Sequence, residues 1–400
     1  MKEKIIYYEI KMKTVSPLCI GSGEDEFSDH DVFKDKEGNI IIPATSIAGV
    51  MRHSLNTETA NIMFGTADGT TSSKSPVFIS DGTVENYVIR IRDGIKLNDE
   101  KITEDTGKYD YEIIENGAVI TFRVEIADDR KFSYEKEFDR ILKKIDEGII
   151  RFGFKSNRGT GKIQITEVKK KIFDKSNYKE YLEFKNDFSS VPLYNDWKKA
   201  EYISTFNKIT VDLTLCGAIS IRTYTKADGE PDFEHIKNNG HSVIPGTSWN
   251  GVIRSFCRKL IKDEDIINNN FGFISVEKGK NSESVASKII FGESIIEGGN
   301  DLVQTRTKID RFTGGAMDKA LFTESVHVGG KTSLQILMKN DVNFIVKNAI
   351  LCAIEDIGNG YLTIGGMTGI GRGRFKVDKV EIDGIEWDKN VNIFREVENV

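Results

Sequence analysis

One sequence pattern occurs twice in this chain, and this repeat constrains the fold more than any other feature. The pattern Ile-Pro-[Ala/Gly]-Thr-Ser-x-x-Gly-x-x-Arg spans Ile42–Arg52 and again Ile244–Arg254, 202 residues later. Further matches follow in the same order at offsets of 207 to 214 residues: Phe64-Gly65 with Phe271-Gly272, Arg92 with Arg306, Glu112 with Glu324, Gly117 with Gly329, and Gly159-x-Gly161 with Gly371-x-Gly373. Matches that follow the same order, with an offset that varies by only a few residues, indicate a duplicated unit whose loops differ in length.

Each copy predicts the same opening elements. Apolar residues at every second position mark a half-buried strand, from Ile6 to Met12 and from Ile209 to Leu215. The Pro-x-Thr-Ser segment then predicts a helix start that Thr or Ser can cap. In the second copy an apolar stripe at helical spacing extends this helix: Trp249, Val252, Ile253, Phe256, Cys257 and Leu260.

The remaining elements complete a known order. A strand at Pro76–Ser80 or Lys288–Phe291 is followed by a long excursion, a second helix that we expect Gly148 or Gly358 to end, a Gly-rich loop and a last strand. This order predicts an α+β fold made of two tandem ferredoxin-like, RRM-like domains with inserted loops. We assign residues 1–172 to the first domain and 208–400 to the second. Residues 173–207 are a connector, and they are too aromatic for a flexible linker, so we expect them to pack between the domains.

Composition excludes several classes of protein. A formal net charge of −6 argues against coating nucleic acid through bulk positive charge, so any RNA contact must be local. No apolar run is long enough to span a membrane, and we expect a soluble, cytoplasmic protein. The four cysteines stand in separate segments and are expected to be reduced, buried thiols: Cys19, Cys216, Cys257 and Cys352. The five histidines lack metal-ligand spacing: His30, His53, His235, His241 and His327.

The Gly-rich loops are the first candidate for RNA contact. Glycine interleaved with basic residues lets backbone N–H groups and cations approach phosphates closely, whereas the alternative is a tight turn between helix and strand. Because the loop occurs in both copies, we favour RNA backbone contact. The candidate residues are Lys155, Arg158, Gly159, Gly161 and Lys162 in the first loop and Gly371, Arg372, Gly373 and Arg374 in the second.

The helix starts and the excursions provide further candidates. A helix N-terminus can hold an anion, which points to Ser46 and Ser248, with Arg52 one to two turns further on. Asn250, Arg254 and Arg258 are spaced to form one exposed polar edge, and a solvated helix face is the alternative. The second excursion places Arg306 and Arg311 near Phe312, a composition that suits contact with nucleic acid, although such a loop can also pack on its own domain.

Acidic loops precede the Pro-x-Thr-Ser helix in both copies. Asp29 lies in the first and Asp232 in the second. A carboxylate there can bind Mg²⁺ or Mn²⁺ and help to activate a ribose 2′-hydroxyl, which makes Asp29 and Asp232 catalytic candidates and Asp29 a metal ligand. The alternative is that both loops are simply solvated.

Three of these motifs together resemble the RAMP superfamily of CRISPR-associated proteins: the Ile-Pro-x-Thr-Ser helices, the Ile309–Ala316 segment and the Gly-rich loops. The chain looks most like the backbone subunits of type III effector complexes. The resemblance implies an RRM-like core that grips the guide RNA (crRNA) and extended thumbs, at about Arg90–Gly117 and Arg306–Gly330, that wedge the guide–target duplex. Two units fused in one chain imply a type III variant.

The resemblance also implies an activity and partners. In cleaving members, an aspartate in an Asp-x-x-[Val/Ile]-x-Lys-Asp context cuts target RNA with a divalent metal. Asp29–Asp35 matches this pattern, whereas Asp232–Asn238 departs from it at His235 and Asn238. The implied partners are crRNA, target RNA, a large signalling subunit and other RAMP proteins. Two alternatives remain: a non-catalytic backbone or capping subunit, and a metal-independent guide-processing endoribonuclease.

Overall fold

The computed structural model describes residues 4–21, 30–68, 71–97, 103–224, 230–274 and 284–388. The main division of the chain into two compact units lies between Ile203 and Ser204. None of the helices in these described stretches is long and apolar enough to cross a membrane.

The first unit is a ferredoxin-like sheet covered by helices. Its elements are β1 Lys4–Thr14, α1 Ala44–His53, α2 Thr57–Phe64, β2 Val77–Ile79, β3 Gly82–Glu85, β4 Ile89–Leu97, β5 Thr103–Ile114, β6 Val119–Asp128, α3 Tyr134–Asp146, β7 Ile163–Asp174 and α4 Tyr178–Phe184. The antiparallel order is β7-β1-β6, with β2 and β3 both pairing with β6. The long strands β4 and β5 form a separate hairpin.

The second unit repeats this plan. Its elements are β8 Phe206–Cys216, α5 Gly246–Ile261, α6 Glu264–Phe271, β9 Ile289–Phe291, β10 Ser294–Glu297, β11 Asn300–Ile309, β12 Ala316–Val328, β13 Lys331–Lys339, α7 Phe344–Gly358 and β14 Arg374–Ile382. The order β14-β8-β13, with β9 and β10 both on β13, matches the first sheet strand for strand. The hairpin is β11–β12. The prediction of two tandem ferredoxin-like units is confirmed.

Short elements fill the connections. The short strands are Ile41–Ile42, Thr66–Asp68, Thr71–Ser73, Ala218–Ile219, Arg222–Tyr224, Phe233–His235, Lys237–Asn238, His241–Ile244, Phe273–Ile274, Ser284–Val285 and Ile385–Glu386. Single 3₁₀ turns occur at Ser156–Arg158, Asp196–Lys199 and Thr368–Ile370.

The alternating strands form because one face of each is buried. Ile6, Tyr8, Ile10 and Met12 point into the first core, and Ile209, Val211, Leu213 and Leu215 point into the second. Burying an apolar side chain of this size stabilises the fold by roughly 1.5–3 kcal/mol, so a one-residue slip that exposed the row would be strongly unfavourable. In the helical stripe on α5, Trp249, Ile253 and Cys257 are buried. Val252 and Phe256 are half-buried, and Leu260, in the last turn, is exposed.

Several local predictions are wrong, each for a physical reason. Pro43 and Pro245 are the N-caps of α1 and α5, and neither Thr nor Ser caps these helices through its side chain. Gly358 is the last residue of α7 and Asn359 is its C-cap, so the helix includes the glycine that was predicted to stop it. A Cβ at Gly358 would lie 3.1 Å from Val377 Cγ2. Cys216 and Cys352 are exposed, since one lies at a strand end and the other on the outer side of α7.

The connector packs against the first unit. Trp197 is buried in the first core, and the rings of Phe173, Tyr181 and Phe184 cluster around Tyr7 on β1. These aromatic contacts explain the composition of the segment, and they group residues 173–203 with the first unit instead of between the two.

Candidate nucleic-acid interface

The two Gly-rich loops have the same backbone conformation. Each contains a 3₁₀ turn, at Ser156–Arg158 or at Thr368–Ile370. Four matched pairs of residues have positive φ: Gly153 and Gly365 (79° and 91°), Lys155 and Met367 (both 56°), Gly159 and Gly371 (101° and 89°), and Gly161 and Gly373 (76° and 70°). The duplication therefore extends to individual dihedral angles.

The last glycine of each loop is required by the fold. The N–H of Gly161 donates to Pro17 O (2.7 Å), and the N–H of Gly373 donates to Ala218 O (2.8 Å). A Cβ at either position would run into a carbonyl oxygen, that of Phe152 or of Ile364. Because these N–H groups are already bonded inside the protein, the expectation that Gly161 and Gly373 present them to phosphate is wrong.

Gly371, in the second loop, is exposed and has open space around it. It therefore stays a candidate for contact with a ligand.

The basic residues of the two loops are not equivalent. Arg158 is exposed in the first loop and Arg374 in the second. Lys155 and Lys162 are half-buried, and the Lys155 Nζ lies 3.5 Å from the ring centroid of Tyr111. At the positions that match Lys155 and Arg158, the second loop has Met367 and Ile370. Its tip is therefore uncharged, whereas the tip of the first is cationic.

Arg372 is buried and points away from the surface. Its Nη1 lies 2.7 Å from Oε2 of Glu324, and its Nη2 donates to Gln304 Oε1 (2.9 Å). Both partners lie on the β11–β12 hairpin. The prediction that Arg372 contacts RNA is wrong, because a buried guanidinium takes a carboxylate partner in preference to a solvated phosphate.

Glu324 is the centre of a buried polar cluster. Arg222 Nε donates to its Oε1 (2.8 Å), Arg372 donates to its Oε2, and Ser220 Oγ donates to its Oε1 (2.5 Å). Burial alone would raise the pKa of Glu324, but the hydrogen bonds from Arg222, Ser220 and Arg372 outweigh it and lower the pKa to about 2. The carboxylate therefore stays charged and joins the hairpin to the Gly-rich loop.

The motif arginines hold helices together. Arg52 Nη2 donates to Asn61 Oδ1 (2.7 Å) and its Nη1 to Gly65 O (2.6 Å), so α1 is fastened to the end of α2. Arg254 Nη2 makes the matching bond to Asn268 Oδ1 (2.9 Å), between α5 and α6. Both guanidinium groups are half-buried and bonded within the protein, so the prediction that they bind RNA is not supported by their geometry.

The predicted polar edge of α5 does not exist as one exposed surface. Asn250 is buried, and its Oδ1 has no hydrogen-bond partner among the described residues. Arg258 pairs with Glu264, with Nε and Oε1 2.8 Å apart. The three residues do lie on one side of the helix. That side is not open to solvent, because the neighbouring helix α6 packs against it.

The helix starts differ in their accessibility to an anion. Ser46 and Ser248 are half-buried in the first turns of α1 and α5. In the first unit, the N–H of Ala44 donates to Asp81 Oδ1 (2.7 Å), so a carboxylate of the protein already occupies part of that N-terminus. An RNA phosphate at α1 would have to compete with Asp81.

The excursions form β-hairpins. In the second unit the hairpin starts at Asn300, earlier than the predicted Arg306. Arg306 donates to Gln304 Oε1 (2.9 Å), while Arg311 is exposed at the tip beside Phe312, whose side chain is 100% exposed. A fully exposed aromatic residue next to a cation, at the end of a long hairpin, is a side chain that a nucleobase can stack on.

In each unit the acidic-loop segment lies against the second hairpin strand. Glu112, on β5, accepts hydrogen bonds from Val32 N (3.1 Å) and Lys34 Nζ (3.3 Å), and its N–H donates to His30 O (2.9 Å). In the second unit Phe233–His235 pairs with β12 beside Glu324. The structure therefore brings hairpin, acidic segment and Gly-rich loop together at one end of each sheet.

Sequence comparison agrees with this duplicated architecture. The model of the RAMP superfamily matches residues 11–164 and 213–376. The chain belongs to the RAMP superfamily. No curated protein matches it.

Among the solved structures that resemble this RAMP chain is one that is similar over part of its length. It is a chain of a cryo-EM structure described as the Type III-B Cmr-beta bound to cognate target RNA. The two chains are 14% identical, with a TM-score of 0.35. The similarity covers 43% of this chain and 61% of the other, so it spans less than two thirds of that neighbour.

Of the two catalytic candidates in this RAMP chain, the structure describes only Asp232. Asp29 lies outside the described residues. Asp232 is exposed at the base of the second hairpin, where its Oδ2 accepts from Thr323 N (2.7 Å) and Oγ1 (3.2 Å). Among residues whose placement is described, no group of three or more His, Cys, Asp or Glu side chains is arranged to hold a metal ion.

Two polar clusters at the second hairpin are not indicated by the sequence. The first cluster surrounds Glu324, which corresponds to Glu112 in the repeat. This correspondence indicates that a carboxylate is needed on the second hairpin strand. It does not reveal the arginine partners, which come from distant segments. The rings of His235 and His327 lie 6.1 Å apart and both are buried, although 92 positions separate them. Nothing in their local sequence indicates this pairing.

Proposed function

We propose that the chain is an RNA-binding backbone subunit of a type III CRISPR interference complex, which holds crRNA and receives target RNA. The observation that carries the proposal is the convergence of Gly-rich loop, acidic segment and hairpin at the same end of both units. Membership of the RAMP superfamily supports it. The proposed partners are the large signalling subunit and other RAMP proteins of such a complex.

The side chains that we assign to RNA contact are those that remain accessible. Arg158 and Arg374 on the Gly-rich loops suit contact with backbone phosphates, since both are exposed. Arg311 and Phe312 at the second hairpin tip suit contact with bases or with the edge of a duplex. A small set of exposed cations on a chain of net charge −6 is compatible with local rather than bulk electrostatic binding.

The binding proposal can be tested through the salt dependence of RNA affinity. Arg158→Ala and Arg374→Ala should each weaken binding of single-stranded RNA and reduce the slope of log K against log salt by about 0.7. Lys179→Ala, an exposed lysine on α4 away from loops and hairpins, is the matched control and should change neither. Unchanged slopes for both arginine variants would contradict the proposed contacts.

Metal-dependent cleavage of target RNA at the first acidic loop is the second part of the proposal. Asp29 is the assigned metal ligand and catalytic residue, with Mg²⁺ or Mn²⁺, and Asp232 is the matching residue of the second unit. Cuts in a bound target should be mapped in an assembled complex with Asp29→Ala and with Asp232→Ala. If each variant keeps every cut while still binding RNA, the cleavage proposal is wrong.

A non-catalytic role is the alternative for the second unit. The observation in its favour is that Thr323 donates two hydrogen bonds to Asp232, which is then a fastening point between the acidic segment and β12. On this alternative, Asp232→Ala leaves all cuts in place and lowers the stability of the hairpin base. The loss of one specific cut in this variant would contradict it.

A further inference from the structure

A cation held against aromatic rings lies beside the acidic segment of the first unit. The Lys155 Nζ lies 3.5 Å from the ring centroid of Tyr111 and 4.1 Å from that of Tyr109. It also lies 5.2 Å from the ring centroid of Phe154, and the ring of His30, in the acidic segment, lies 4.9 Å from that of Phe154. Phe154 is 43% exposed, so this ring of the cluster is open to solvent.

The second unit has a cluster of the same kind at its acidic segment. The ring of Phe233, which follows Asp232, lies 5.0 Å from that of Tyr224, its partner on the adjacent short strand. Arg222 Cζ lies 4.9 Å from the ring centroid of Phe233 and 5.9 Å from that of Phe322 on β12. Tyr224 is 59% exposed, so it is the open ring of the second cluster.

The two clusters consist of residues that do not correspond in the repeat. The positions that match Phe154 and Lys155 hold Gly366 and Met367. The open ring of the first unit belongs to the Gly-rich loop, whereas Tyr224 belongs to a short strand that pairs with the acidic segment. Duplication alone would have placed the same residues in both units. The recurrence of an exposed ring beside a cation therefore indicates a requirement that both units share.

Carboxylates near the two rings are already bonded within the protein. Glu112 accepts a hydrogen bond from Lys34 Nζ (3.3 Å) in the first unit. In the second, Glu324 accepts from Arg222 Nε (2.8 Å), and Asp232 is bonded to β12. The exposed rings are themselves flat and uncharged. A neutral, planar group such as a nucleobase therefore fits them better than a free ion of either sign.

We propose that each open ring stacks one nucleobase of a bound RNA strand, on Phe154 in the first unit and on Tyr224 in the second. Stacking of bases on aromatic side chains holds single-stranded nucleic acid without reading its sequence. In the first unit Arg158, exposed four residues further along the same loop, can pair with a phosphate of that strand. This inference rests on the proposed RNA binding and adds the positions of two bases to it.

The test measures binding of oligoadenylate to the full chain. Phe154→Leu and Tyr224→Leu keep an apolar side chain but remove the flat ring, and each should weaken binding by at least about fivefold. Neither should change the slope of log K against log salt, because stacking releases no counterions. Tyr178→Leu, at an exposed tyrosine on α4, is the matched control and should bind as the wild type does.

A second readout separates base stacking from a purely structural role of the rings. Phe154→Trp and Tyr224→Trp each place an indole at an open position, and a stacked adenine should quench its fluorescence beyond any change in the wild type. A strand of the same length made of abasic ribose phosphates should leave this fluorescence unchanged. Equal quenching by both strands, or none by bound oligoadenylate, would overturn the proposal.

Failure of the stacking inference can be told apart from failure of RNA binding itself. If both leucine variants bind oligoadenylate with wild-type affinity while Arg158→Ala still reduces the salt slope, stacking is wrong and RNA binding stands. If the leucine variants, Arg158→Ala and Arg374→Ala all match the wild type, the proposed function is contradicted as well.

Discussion

Arg372 Nη1 lies 2.7 Å from Oε2 of Glu324, a carboxylate that has no exposed surface. The pair joins the second Gly-rich loop to the second hairpin, and Arg222 and Ser220 complete it from a third segment. Two of the elements assigned to RNA contact are therefore held in register by one buried charge. An arginine that looked like a phosphate ligand in the sequence is part of the framework that positions the loop.

Removing the charge of Glu324 should lower the stability of the second unit. Glu324→Gln leaves the buried guanidinium of Arg372 without a carboxylate, and we expect a loss of about 3 kcal/mol in the free energy of unfolding at pH 7. The lowered pKa of Glu324 means that its contribution is present above its ordinary value of 4.5 and is lost as pH falls toward 2. Urea denaturation measures the change. Glu355→Gln, exposed on α7, should stay within about 0.5 kcal/mol, and equal effects would contradict the prediction.

The glycines of one loop should differ sharply in tolerance. Gly373→Ala pushes a Cβ into Ile364 O and should prevent folding of the second unit or destabilise it by more than about 3 kcal/mol. Gly371→Ala has open space and the same sign of φ (89°), so only the left-handed backbone cost of roughly 1–2 kcal/mol applies. Thermal unfolding of the two variants compares them. Similar midpoints would show that the close approach at Gly373 does not constrain the loop.

The bond between Arg254 and Asn268 should be measurable as a coupling energy. A double-mutant cycle with Arg254→Ala and Asn268→Ala is expected to give about 1–2 kcal/mol, because a charged donor meets a half-buried amide. The matched pair is Arg258 and Glu264, whose side chains are 34% and 55% exposed, so that its coupling should stay below about 1 kcal/mol. A larger coupling for the exposed pair would reverse this interpretation of the motif arginine.

Acid should destabilise the second unit through His235. Burial, followed by the neighbouring His327, lowers the pKa of His235 to about 4 from an ordinary 6.5. A lowered pKa means that the folded state binds the proton less well, so this contribution is present above pH 6.5 and is lost as pH falls toward 4.

The variant His235→Asn isolates that contribution. An amide oxygen can still accept the bond from Ile221 N that His235 Nδ1 now accepts (3.1 Å). The free energy of unfolding should fall between pH 7 and 4 in both proteins, and the fall should be smaller in the variant by up to about 3 kcal/mol. Denaturation at a series of pH values measures this difference. His241→Asn, at an exposed position, should follow the wild type. Parallel curves for wild type and His235→Asn would contradict the assignment.

The sequence alone determined the duplication, the element order and the buried faces. These depend on local patterns: the alternation from Ile6 to Met12, the stripe that begins at Trp249, and matched glycines at a constant offset. Such signals survive because each reports which side of a single strand or helix is buried, and that is decided within a few residues.

Only the tertiary structure decided which polar side chains face solvent. Arg372 is followed by Gly373 and Arg374 in a run that looks uniformly basic, yet it turns inward while Arg374 stays exposed. The direction depends on Glu324, 48 positions away, just as the ring contact of His235 depends on His327, 92 positions away. Residues so far apart in the sequence become neighbours only when the sheets assemble. A charged side chain such as Arg372 turns inward only where the fold places an opposite charge next to it.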